Sequence, residues 1–555
     1  MKAIYRLLVV LCVSSVALAA CGGGGGGGPG TTTYSVTYDK NGATSGTVPV
    51  DSTLYATGAA VTVLGNTGNL AKTGQVFAGW SPLAAGAGNY YSPGLVFNMG
   101  SANVVLYAQW ASPSGFPVTY DATGATGGAV PVDAARYNDS QSVTVAGNPG
   151  NLTYPGYTLM GWQAKADGSG TTYKMGSTFQ MGSANVALYA LWAGGYAYAV
   201  NWSDTDVSQY TIGPNGALTP MFTPTVSTVS GQQGYDPRWL TVDPSGKYLY
   251  VSNYHGVTSI TGCTYGCGFV SQFTIGADGS LAPMSTPTFF TAGAYPGGGA
   301  IHPTKPWYYV ANLEWNTISQ NTIGADGSLA AMTPPIVTTA AGPNTIAIDP
   351  LGKYAYVPNG NTVSQYTIDQ TSGTLQSMSP STVAAGLATE NIGFASLSSG
   401  TYAYVLNGGG GTTGGSVSQY KIDPASGGLS QIETVAADPD ELQYASSLTV
   451  HPTGKFAYAT LCCASPSKVI VQFKVDPTTG KLTRNGMVSA GGKATAWIAI
   501  ESSGKYAYAT SGDSGWGSYS VAQYTIDQTT GSLTLMPNPT VLAGFGPSQI
   551  VTVGK

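Results

Sequence analysis

The chain has 555 residues, of which only 8% are charged, and a formal net charge of −5. It has no basic patch, so nucleic acid is excluded as a partner, and its length allows several domains whose solubility rests on Ser, Thr, Asn, Gln and exposed backbone. Val, Thr and Tyr dominate, punctuated by Gly, Pro and Asn and without sustained helical periodicity, which predicts an all-β fold.

Lys2 and Arg6 precede the apolar run "LLVVLCVSSVALAA", which leads to Cys21. A basic start, a short apolar core and small residues before a cut describe a secretory signal over residues 1–20, too short to span a bilayer. The exit "LAAC" resembles the bacterial lipobox, and the resemblance implies cleavage before Cys21 and lipidation of its sulfur. Gly22 stands where an aspartate would suggest inner-membrane retention, so by the same analogy the expected place is the cell envelope, at the outer membrane. The partner there is the membrane itself, through the lipid. Residues 21–32, with "GGGGGGGPG", read as a flexible tether, because glycine has no side chain to bury and the most backbone entropy to lose.

Residues 33–110 and 117–192 are two copies of one unit. "VTYDKNGATSGTVPVD" matches "VTYDATGATGGAVPVD", "FAGW" matches "LMGW", and "FNMGSANVVLYAQW" matches "FQMGSANVALYALW". Each copy alternates short strands with Gly and Asn turns, and Trp80, Trp110, Trp162 and Trp192 are the expected anchors of two small cores. The copies resemble Listeria–Bacteroides repeats, the B-repeat family of bacterial surface proteins. That resemblance implies small β-grasp-like modules acting as spacers or interaction units, with no catalytic residues.

From Tyr196 to the C-terminus a longer unit recurs, written most clearly as "TIAIDPLGKYAYVPNGNTVSQYTIDQTSGTLQSM". Its period of roughly 50 residues is that of a four-stranded propeller blade. In order the strands are "TIAI" (a, innermost), "YAYV" (b), "VSQYTI" (c) and the stretch after "GTL" (d). Seven passes of strand b begin near Tyr196, Tyr248, Trp307, Tyr354, Tyr402, Phe456 and Tyr506. The first lacks a preceding strand a, and the chain ends on "GPSQIVTVGK", so residues 547–553 are expected to complete the first blade and remove two exposed edges. Alternation puts both tyrosines of each strand b on one face, to pack between blades. The a–b and c–d turns are short and nearly constant. The b–c and d–a loops vary, lie on the opposite face and are the expected seat of function.

Four cysteines remain after Cys12 leaves with the signal and Cys21 takes the lipid. In an oxidising compartment a Cys263–Cys267 disulfide would close one loop. Cys462 and Cys463 are adjacent, about 3.8 Å apart at Cα, below the usual range for a disulfide. These pairs fall on non-adjacent repeats, so no metal and no other cofactor is expected.

The array, residues 196–555, resembles the lactonase-type seven-bladed propellers, the family of bacterial 6-phosphogluconolactonase. The repeated "DPSGKYLYVSN" type of motif carries the resemblance, which implies a propeller with His, Arg and acids in a central cleft. Here the best-matching blade reads "GPNTIAI" and "PNGNTV", so Asn344 replaces the His, and Asn359 and Asn361 replace acids. An amide hydrogen-bonds but does not accept a proton at neutral pH. His302 and His451 belong to a–b turns. The remaining catalytic candidates are His255, Arg238, Glu314, Asp204 and Asp206, drawn from neighbouring loops. Trp202, Tyr254, His255, Trp315 and Trp516 are the binding candidates, as aromatic loop residues that make rigid contact area. No phosphate-binding loop, dinucleotide fingerprint, HExxH or GxSxG is present. The expectation is a lipid-anchored envelope protein that binds a protein or carbohydrate through its variable face. The alternative is a hydrolase of a sugar lactone with a rebuilt site.

Overall fold

The computed structural model describes residues 32–86, 90–111, 115–168, 170–228, 236–257, 267–409, 415–436, 445–461, 469–489, 495–511 and 519–554. Cys21, Cys263, Cys462, Cys463 and Trp516 lie outside them, as do the side chains of His255 and Cys267. Among the described residues every regular element is a strand.

In each N-terminal module a first strand runs parallel to the last long one, Thr33–Asp39 beside Val104–Ala111 and Phe116–Asp121 beside Val186–Ala193. This parallel pair is the centre that a β-grasp-like module requires. Alternation turns Val36 and Tyr38 inward, onto Trp80. Trp80 and Trp162 are fully buried. Their indole nitrogens donate to the carbonyls of Leu64 (2.9 Å) and Ala146 (2.8 Å), so neither buried N–H is left unpaired.

Seven four-stranded antiparallel sheets follow among the described residues, and the ring closes. Pro547–Gly554 pairs antiparallel with Gly195–Asn201, placing Ile550 opposite Ala199 and Val551 opposite Tyr198. Two circular sets of contacts hold neighbouring blades. The tyrosine at the third position of each strand-b motif donates its hydroxyl to a glycine carbonyl in the next blade's c–d turn, as Tyr250 does to Gly327 (2.6 Å) and Tyr356 to Gly427 (2.7 Å). The first aromatic ring covers that same glycine. Gly427 has φ +75°, and a Cβ there would lie 2.3 Å from the Tyr354 ring, so the position needs glycine on two counts. In strand c a glutamine Oε1 accepts a leucine N–H from the next blade, Gln272 from Leu329 (2.8 Å) and Gln419 from Leu482 (2.7 Å). Both sets run through the closure: Tyr508 donates to Gly216 (2.7 Å), and Leu218 to Gln523.

The histidines of two a–b turns serve the turns. His302 Nδ1 accepts the N–H groups of Thr304 and Lys305, and Nε2 meets the Gly352 carbonyl at 2.7 Å. Asp349 does the same work in the next blade, accepting from Lys353 and Tyr354.

The second module is docked on the propeller. Met160, Leu191 and Ala193 share one apolar core with Tyr196, Val200 and Met221. Its neighbours there are constant-face turns, Gly213–Ala217 of the first blade and Asp278–Ser280 of the second. The second module therefore sits against the constant face, on the opposite side from the b–c and d–a loops.

Candidate functional site

Each inner strand begins at the variable face, and on six of the seven a β-bulge lies there. The register breaks between Pro237 and Trp239, Pro296 and Gly299, Thr389 and Ile392, Ala445 and Ser447, Thr495 and Ile498, and opposite Val200 and Asn201 at Ser548. A bulge re-aims a side chain out of the ladder. The starts of the inner strands, bulged and unbulged, line one central cleft of about 260 Å³. Its wall carries Arg238 and Trp239 from the second blade, Asn344 and Thr345 from the fourth, and Glu390 and Asn391 from the fifth. Ser446, Trp497, Ser548 and Gln549 complete the circuit.

Part of this wall is structural. Asn391 accepts from and donates to the backbone of Leu448, and Gln549 accepts from Leu240 N–H, which zips adjacent inner strands together. Ser446 and Ser548 donate to the carbonyls of Ala496 (2.8 Å) and Arg238 (3.0 Å).

Glu390 is different. Burial pushes its carboxyl up to about 7, opposed by one hydrogen bond from Asn344 Nδ2 to its Oε2 at 2.7 Å. Across the ring, three blades away, Arg238 is the cleft's cation. Its guanidinium lies 4.9 Å from the Tyr254 ring centroid and 6.0 Å from that of Trp202, and 3.5 Å from Asp236. Its buried Nε has no hydrogen-bond partner among the described residues. A carboxyl that titrates near neutrality, an unused donor and two half-buried indoles at one mouth are what a polar, ring-shaped ligand would meet.

Of the candidates named from sequence, Arg238, Trp202 and Tyr254 are brought together, and Arg238 links that rim group to the cleft. Trp202 and Trp315 are 45% and 49% exposed, and Glu314 is exposed beside Trp315. Asp204 accepts from Phe545 N–H (2.6 Å) and Asp206 from Asn201 Nδ2 (2.6 Å), so both tie loop backbone and strand ends. Burial raises the Asp206 carboxyl above its usual range. Asn344 lines the cleft, whereas Asn359 is buried against Val357 and Ser364. Glu390 was not legible from the repeat. Its blade reads "ATENIGFASLSSGTYAYV", without the G-K turn of DPSGK, DPLGK, HPTGK and ESSGK in other blades. The available signal was register: aligned on the inner strand, residue 390 is the acidic one among seven equivalent positions that include Arg238, Asn344, Ser446 and Ser548.

A seven-bladed propeller with its cleft at the start of the inner strands defines the class. Residues 223–546 match the family described as lactonase, 7-bladed beta-propeller, more than half of the chain, and the chain belongs to that family. Residues 34–109 and 116–191 match the Listeria-Bacteroides repeat domain. Among solved structures, a proposed 6-phosphogluconolactonase of Bacteroides fragilis is 22% identical, covering 65% of this chain and 98% of its own, with TM-score 0.53. The periplasmic gluconolactonase PpgL of Pseudomonas aeruginosa is 18% identical, covering 65% and 99%, with TM-score 0.51. At these identities the likeness is one of fold. A proposed Gly-rich membrane protein of Evansella cellulosilytica is 36% identical over 163 residues, which is 29% of this chain and 18% of that relative's length.

Proposed function

We propose that this chain is an envelope-anchored protein that binds a small polyhydroxylated ligand, an aldonic acid or its lactone, in the central cleft of its propeller. One observation carries the reading: the starts of the inner strands bring Trp239, Trp497, Glu390, Asn344 and Arg238 to one mouth. Indole faces suit the C–H faces of a sugar ring, amides and a carboxyl suit hydroxyls, and Arg238 suits a carboxylate. The lipobox-like Cys21 and glycine tether supply the anchor. The second module docks on the constant face, opposite the mouth of the cleft. The similarity to a relative named as a membrane protein supports the envelope setting.

A second reading is favoured by Glu390. With its carboxyl near 7, the ionised form can take a proton from a water that attacks the lactone carbonyl carbon. The ring C–O bond then breaks, the protonated Glu390 returns the proton to the leaving oxygen, and a hydroxy acid results. Titration calorimetry with gluconate and a pH-stat assay with gluconolactone test both. Binding lost in the Trp239→Ala, Trp497→Ala double variant supports the cleft, and undiminished binding rejects it. Turnover lost in Glu390→Gln with binding retained supports hydrolysis. Wild-type turnover no faster than the uncatalysed rate rejects it.

A further inference from the structure

The two N-terminal modules share a sequence pattern but differ at one polar position. In the first, Asn41 Nδ2 donates to the carbonyls of Ala84 and Ala108, both at 2.8 Å. The equivalent residue of the second is Thr123, and its hydroxyl turns instead onto Asp121 Oδ1 at 2.7 Å. The carbonyls that correspond to those held by Asn41 belong to Ala166 and Ala190, on the wall of a cavity of about 220 Å³ between the second module and the first blade's c–d turn. The first module thus fills this place with its own amide, and the second does not.

Gln163 lines the same cavity. It is 6% exposed, and its Oε1 has no hydrogen-bond partner among the described residues. That oxygen lies on the Gly168 side of the cavity, 3.9 Å from where a Cβ on Gly168 would stand. An unpaired buried acceptor costs about 1–3 kcal/mol, so the site calls for N–H donors. The two carbonyls and the Gln163 oxygen are all acceptors, which suits an ammonium group, with three N–H donors and no acceptor. Tyr154 and Trp192, edge to face with centroids 5.8 Å apart, give an apolar wall.

We propose that this crevice binds a primary ammonium group carried on a small molecule. The ammonium takes the place Asn41 Nδ2 holds in the first module, donating to the carbonyls of Ala166 and Ala190 and to Gln163 Oε1. The body of the ligand lies against Tyr154 and Trp192. Such a ligand touches both the module and the propeller and fastens one to the other.

The test is titration calorimetry of the protein with 1,5-diaminopentane, glucosamine and glucose. Amine binding and no glucose binding are expected, and the two amines tell a polyamine from an amino sugar. Thr123→Asn supplies the internal donor of the first module and should weaken amine binding by about tenfold or more. Asn41 and Thr123 both have positive φ, 40° and 27°, so the backbone already suits asparagine. Gln163→Leu gives a second readout with the same expected loss, should Thr123→Asn fail to fold. Absence of amine binding by the wild type, glucose binding equal to glucosamine, or unchanged affinity in the folded variants would overturn the proposal.

Discussion

Asn344 and Glu390 come from the starts of neighbouring inner strands, and the amide Nδ2 of the first lies 2.7 Å from the carboxyl Oε2 of the second. The bond favours the ionised carboxylate, yet burial outweighs it and holds the carboxyl near 7. The folded value therefore exceeds the ordinary one of 4.5. Such a group stabilises the fold relative to its ionised state below about pH 4.5, and that contribution is lost as pH rises through 7. Glu390→Gln keeps an acceptor for Asn344 and removes the titration. Its melting temperature should match wild type at pH 4 and exceed it at pH 8, by a stability gain on the order of 1–2 kcal/mol. Equal melting temperatures at both pH values would place Glu390 in open solvent.

His302 titrates in the opposite sense. Burial lowers its pKa below 6.5, and Nδ1 already accepts two N–H groups. The folded value is depressed, so its contribution is present above pH 6.5 and is lost as pH falls below it. His302→Asp copies the acceptor that Asp349 provides in the next blade, and Gln370 still reaches the Gly352 carbonyl at 2.9 Å. Thermal melts between pH 4 and 7 should fall less steeply for this variant than for wild type. Parallel profiles would show that His302 does not govern the acid limb.

The glycines under the blade aromatics separate two costs. Gly427 and Gly486 both have positive φ, but a Cβ on Gly486 meets nothing within 4 Å, while one on Gly427 meets the Tyr354 ring. Gly486→Ala should cost about 1–2 kcal/mol, the penalty of the left-handed backbone. Gly427→Ala should cost about 1–3 kcal/mol more, from overpacking. Denaturant unfolding measures both, and equal losses would mean that the ring contact does not hold the blades.

Arg238 joins the rim to the cleft, so its removal should separate ligand classes. Arg238→Ala should weaken gluconate binding by about tenfold, the loss of a charge-assisted hydrogen bond, while glucose binding changes little. Calorimetry with both sugars checks this. An equal loss for both would make Arg238 a packing residue of Tyr254 and Trp202.

Blade count and closure were readable because "YAYV"-like strands, several of them after a G-K turn, recur about every 50 residues, and the terminal "PSQIVTV" was the strand the first blade lacked. The ring of strand-c glutamines was present in every "VSQYTI" but had no meaning until blades were adjacent in space. The cleft was hidden for a related reason. Most of its side chains sit at bulges, where strict alternation fails, and alternation was the rule used to read the strands. Arg238 stands out in sequence by its nearness to the variable loops, whereas Glu390 lies on a blade that turns at Gly400 without a G-K turn.

The most direct measurement is a crystal structure of the protein with gluconate bound. Binding at the starts of the inner strands predicts a sugar acid between Trp239 and Trp497, with a hydroxyl in hydrogen-bond reach of Glu390 and its carboxylate towards Arg238. Gluconate seated only on the outer rim near Trp202 or Trp315, with the central cleft unvisited, would contradict it.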